Sequence, residues 1–248
     1  MNAPHPHLPP DLTPSSAQPL KPSDRARLVL GVSVVATLLL YVLPFGEYLA
    51  YPLMLLSTLV HEMGHGVAAL LVGGRFEQFQ MFPNGSGVAN LRVEPTRFKA
   101  AFVAAGGLVG PAMAAALGFA AGRTARGARR MLFAIVVVLA LAFVLVVRNS
   151  FGWLFVGVFG LCLAWVARRA SAETAQLVLV FLSVQLSLSV FSRGDYLFTP
   201  VARTSIGTMP SDVGQMAEAL FLPYWVWGGV CGLFSIWVLI QGLRAYWR

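Results

Sequence analysis

The chain has 248 residues, of which 57% are hydrophobic and 11% charged, with a formal net charge of +8. Soluble globular domains carry about 25% charged residues, so this composition excludes a large soluble core and describes a polytopic membrane protein. The basic residues fall in short runs between apolar segments, which excludes a nucleic-acid-binding face and fits contact with a lipid bilayer.

In chain order, residues 1–27 are rich in Pro, Ser and charge and read as a disordered tail, with His5 and His7 in a flexible, inert setting and no signal-peptide pattern. Residues 28–248 form one membrane-embedded domain. A spanning helix needs about 20 apolar residues. The candidates are 28–46, 50–72, 99–121, 131–147, 151–167, 174–192 and 223–243, or about seven spans. The fourth and fifth are separated only by Arg148-Asn149-Ser150, which predicts a tight helical hairpin or a less regular pair. Alternating spans would put the termini on opposite sides and divide Lys and Arg 10 against 8, which leaves the orientation open. Cys162 and Cys231 lie in apolar stretches and read as small buried hydrophobes, and no CxxC occurs.

Two segments between spans stand apart. In 73–98, Gly73-Gly74 ends a helix, Asn84-Gly85-Ser86-Gly87 is turn chemistry, and Val88 to Val93 alternates weakly. This predicts a short β-hairpin, whose edge could hold an extended peptide by strand addition. An ordinary interfacial loop fits the same residues equally well. The second segment, 193–222, is a polar linker that ends in Leu222-Pro223-Tyr224-Trp225, an interfacial aromatic anchor. The fold class is therefore an all-α polytopic membrane protein with a short hairpin after the second span.

That second span contains His61-Glu62-Met63-Gly64-His65, the HExxH pattern, in an otherwise apolar run. Ionisable groups at such depth are costly and mark function by default. Positions i and i+4 share a helix face, so both imidazoles can hold one metal ion, with Glu62 placed as general base for water. The competing arrangement is a polar cluster hydrogen-bonded across the bundle. A catalytic zinc commonly has three protein ligands. The downstream acids are Glu77, Glu94, Glu173, Asp195, Asp212 and Glu218. The two glutamates at 77 and 94 belong to the hairpin and face water, and Glu173 suits a helix start. Asp212 is the first candidate and Asp195 the second. Either also fits a helix cap, and Ser211 or Asp212 as an N-cap competes evenly with ligation. Asn149 is a possible oxyanion donor, with a loop or cap role the better fit.

These residues resemble the M50 peptidases, the site-2-protease group of intramembrane zinc metalloproteases, and within it the M50B-like branch. The resemblance rests on His61-Glu62-Met63-Gly64-His65-Gly66, Gly73-Gly74-Arg75, the Asn84–Gly87 turn, Gly106-Gly107 with Gly110-Pro111, Arg148-Asn149-Ser150-Phe151-Gly152, and Ser211-Asp212 followed by Leu222-Pro223 and Trp227. It covers about residues 45–245. It implies a hydrolase that cuts membrane-embedded protein or peptide substrates, with Zn2+ held by His61, His65 and a distal aspartate and Glu62 as base. The LDG-type motif of the larger family and its inserted PDZ-like domain are both missing. The alternative is a catalytically silent relative with a structural or partner-binding role. A transporter would repeat the motif helix, and no repeat occurs. The alanine- and arginine-rich composition with short loops suits a bacterial inner membrane.

Overall fold

Long apolar runs, three of them restarting after Thr or Asn, dictate a bundle of helices. The computed structural model describes residues 22–94, 96–192, 197–204 and 207–248. Its elements are α1 (Pro22–Val42), α2 (Gly46–Leu71), β1 (Arg75–Met81), β2 (Gly87–Arg92), α3 (Arg97–Gly122), α4 (Ala125–Leu145), α5 (Ser150–Arg169), α6 (Ala172–Ser192), β3 (Val201–Thr204), β4 (Gly207–Pro210), α7 (Asp212–Leu220) and α8 (Tyr224–Trp247). The side chains of Thr96, Thr124 and Asn149 accept hydrogen bonds from the first turns of α3, α4 and α5. They satisfy N–H groups that a helix start leaves without partners.

Among the described residues six helices, α2 to α6 and α8, are long and apolar enough to cross a membrane. The seventh expected span is α1, a long helix outside that set, which begins at Pro22 rather than at 28. Large apolar side chains such as Val137, Leu141, Leu233 and Trp237 face outward. In water such faces would demand a partner, and in a bilayer lipid covers them. The protein is an all-α, multi-pass integral membrane protein with small β-hairpins. Cys162 is exposed on α5 beside outward-facing Leu161 and Trp165, whereas Cys231 is buried. The expectation that both cysteines are buried fails for Cys162 because its side of α5 faces outward.

Helix α3 is the hub. Its small residues let neighbours approach at backbone distance, which is how helices pack where lipid is as apolar as leucine. A Cβ on Gly64 of α2 would lie 2.3 Å from the Gly106 carbonyl oxygen, and one on Gly242 of α8 would lie 2.5 Å from Ala116 Cα.

The start of α1 and the end of α8 lie at one end of the bundle, not at opposite ends. Arg25 pairs with Glu173 at 3.1 Å, and Tyr246 Oη donates to the Ala26 carbonyl at 2.7 Å. Gln176 Nε2 donates to the Gly122 carbonyl at 2.7 Å, and Gln185 Nε2 to Thr37 Oγ1 at 2.5 Å. Helices α1 and α6 thus run parallel, which strict alternation of the spans forbids. Arg25, Arg27, Arg123, Arg126, Arg129, Arg130, Arg168, Arg169, Arg244 and Arg248 gather at this end.

The first hairpin lies against α2. Its strands pair antiparallel, with an irregularity between Phe76 and Gln78. Gly73 and Gly85 occupy left-handed backbone conformations at φ 80° and 83°, which side chains rarely adopt. Tyr51 Oη donates to the Pro83 carbonyl at 2.6 Å, and Thr58 Oγ1 to the Gly85 carbonyl at 2.7 Å. The outer side of β1 is bonded to the α4–α5 connection: Phe79 N–H to the Val146 carbonyl at 2.7 Å, and Arg148 N–H to the Phe79 carbonyl at 3.0 Å.

Asn149 ties this connection together. Its Oδ1 accepts from Gly152 N–H at 3.3 Å and from Met81 N–H at 3.2 Å, while Nδ2 donates to the Met81 carbonyl at 2.6 Å. These bonds make it a cap and strand clamp instead of an oxyanion donor. Asn149→Ala removes the cap and the clamp, so it is expected to destabilise the fold by about 2 kcal/mol. A lower midpoint in thermal unfolding of the detergent-solubilised protein checks this, and an unchanged midpoint refutes it.

A second two-stranded hairpin, β3–β4, lies within the polar linker between α6 and α8. Strands of four residues bounded by prolines carry no readable alternation, which is why the residues alone did not indicate it.

Candidate metal centre

The helical pitch places His61 and His65 one turn apart on α2, their rings 4.8 Å apart and nearly perpendicular. Their Nε2 atoms are separated by 3.2 Å. Asp212, the first residue of α7, brings a carboxylate from 147 positions beyond His65. Its Oδ2 lies 3.1 Å from His61 Nε2 and its Oδ1 3.3 Å from His65 Nε2. Tetrahedral bonds of about 2.0–2.1 Å would hold neighbouring ligand atoms about 3.3 Å apart. All three side chains can therefore reach one ion, and they are the single such group found among the described residues.

Two further observations fit a cation here. Asp212 Oδ2 is buried and faces His61 Nε2 at 3.1 Å without a hydrogen bond, and a buried carboxylate oxygen so placed is costly unless a cation joins it. His65 Nδ1 lies 2.8 Å from the Val103 carbonyl oxygen. A carbonyl can only accept, so Nδ1 carries a proton and Nε2 is the nitrogen turned towards the centre, the arrangement typical of metal-binding histidines.

The remaining acids are engaged elsewhere. Glu77 pairs with Arg92 at 2.8 Å and Glu94 with Lys99 at 2.6 Å. The Lys99 ammonium holds the Glu94 carboxyl below the usual carboxylate range. Glu173 pairs with Arg25, and Glu218 is exposed on α7. Asp195 lies outside the described residues.

Glu62 is buried and lines the same cavity as the three converging residues, a space of about 150 Å3. One wall is the start of β2 with Ser86 before it, and another is the second hairpin, through Ala202, Met209 and Pro210. Two glycines keep the site open. A Cβ on Gly87 would lie 2.9 Å from Glu62 Cγ, and one on Gly107 would lie 2.2 Å from His65 Nε2. Neither contact was legible in the residues, since both depend on how α2 crosses β2 and α3.

Ser211 takes the capping role at the start of α7. Its Oγ accepts from Gly214 N–H at 3.1 Å, so serine caps α7 and the aspartate beside it faces the histidines.

Comparison with curated proteins gave no match, and comparison with solved structures gave none either. The Peptidase M50B-like family model matches residues 31–242, a stretch that includes both motif histidines, Glu62 and Asp212, and the chain belongs to this family.

Proposed function

We propose that the protein is an intramembrane zinc peptidase that hydrolyses peptide bonds of membrane-embedded substrates, in a bacterial inner membrane. The observation that carries this reading is the convergence of His61 Nε2, His65 Nε2 and the Asp212 carboxylate at tetrahedral spacing, with Glu62 in the same cavity. Zinc held by these three residues would supply Lewis acidity, which brings a proton of water within reach of a carboxylate near neutral pH. Glu62 accepts that proton at a carboxylate oxygen while the water oxygen bonds to the peptide carbonyl carbon. It then delivers the proton to the amide nitrogen as the C–N bond breaks.

A spanning helical substrate has its amides already paired and must unwind before it is cut. Strand β2 offers the unwound segment a partner. Its inner edge is taken by β1, its outer edge has no strand among the described residues, and its first residues line the cavity.

The test is metal removal. Chelation of the purified full-length protein in detergent is expected to abolish cleavage of a single-span substrate, and added zinc to restore it. Cleavage that survives complete removal of zinc would sink the proposal. A zinc-loaded protein that cuts none of a panel of single-span substrates would favour a catalytically silent relative.

A further inference from the structure

Ser211 touches the start of α7 and the base of the second hairpin at once. Its backbone N–H donates to the Pro200 carbonyl at 3.0 Å, and its Oγ donates to the Thr199 carbonyl at 2.5 Å. The same Oγ accepts from Gly214 N–H at 3.1 Å. Residues 199–200 lead into β3 and Ser211 follows β4, so one buried side chain fastens both ends of the hairpin to the first turn of α7. The approach is close: a Cβ on Gly214 would lie 2.4 Å from the Pro200 carbonyl oxygen.

Position 212 needs this arrangement. Aspartate caps a helix about as well as serine does, and the first turn of α7 needs an acceptor for its N–H groups. Without the serine hydroxyl those groups compete for the Asp212 carboxylate and draw it from the histidines. The connection to Thr199 is lost at the same time, and with it the anchor of the hairpin that walls the cavity.

We propose that Ser211 is a positioning residue of the metal centre: its hydroxyl caps α7 and pins the second hairpin, which leaves the Asp212 carboxylate directed at His61 and His65. This rests on the metal-binding reading of those three residues.

Zinc affinity, measured by chelator competition on the full chain in detergent, tests the proposal without reference to turnover. Ser211→Ala is expected to weaken binding about tenfold or more. Ser211→Thr, which keeps the hydroxyl, is expected to retain the parent's affinity. Because Ser211 acts through Asp212, Ser211→Ala is expected to add no further loss in an Asp212→Ala background. Parent-like affinity in Ser211→Ala, alongside loss in Asp212→Ala, overturns the proposal and leaves the metal centre standing. The same outcome for the proposal follows if Ser211→Thr binds as weakly as Ser211→Ala, or if the serine change costs as much in the aspartate-free background. Parent-like affinity in Asp212→Ala refutes the ligand set itself, and the role of Ser211 with it.

Discussion

Glu62→Gln is expected to leave zinc bound and to lower turnover by about 10²–10⁴-fold, the range that general acid–base groups contribute. Glu62 stands outside the three converging donors, so exchange of its carboxylate for an amide removes no metal ligand. The two side chains have nearly the same shape, and the room beside Gly87 accepts either. The amide cannot take up a proton at neutral pH, and that single ability is what the substitution removes. Glutamate is also a costly residue to bury, so the variant is expected to unfold no earlier than the parent. Zinc content by elemental analysis, the thermal midpoint and the cleavage rate of a single-span substrate together make the check. A variant that keeps most of the parent's rate refutes Glu62 as the base, and one that loses its zinc makes Glu62 part of the metal set.

Gly107→Ala is expected to weaken zinc binding about 100-fold, at the upper end of what outer-shell changes cost. The new methyl would lie 2.2 Å from His65 Nε2 and 2.3 Å from its Cε1. A ring that retreats gives up its own contacts: Nδ1 is bonded to the Val103 carbonyl, and Nε2 faces His61 and Asp212. Helix propensity points the other way, since alanine in place of glycine within a helix is favourable by about 1 kcal/mol. A loss of affinity therefore has to come from the displaced ligand. Gly229→Ala is the control, with open space where its methyl would sit; it is expected to bind zinc as the parent does. Equal affinities in the two variants would show that His65 tolerates the intrusion and that its ring is less fixed than its contacts imply.

The legible part of this protein is its local part. Two histidines four residues apart share a helix face by pitch alone, so three of the four candidate site residues could be read from five consecutive positions. Span positions follow from apolar run length, but the starts do not: α4 begins at Ala125, six residues before the expected 131, because Thr124 caps it ahead of the apolar run. Asp212 was harder to read, because an aspartate after a serine at a helix start has two uses. The choice depends on which of the adjacent side chains bonds to Gly214, a matter of fractions of a turn. The course of α1 was not legible, because alternation is a counting rule and the pairing of Arg25 with Glu173 joins residues 148 positions apart. Gly106 and Gly107 stood out as small residues in a span. That one receives Ala68 and the other the His65 ring is settled by the crossing of two helices.

The outer edge of β2 has a consequence for hydration. Backbone amides without partners cannot be left facing hydrocarbon, where each costs several kcal/mol. On the proposed function, a strand edge kept free for a peptide would have to stay wetted between encounters with substrate. On the same reading, the ribbon that takes a peptide would also be a route for the water that hydrolysis consumes, and a docked peptide would dry the edge as it closed over the cavity.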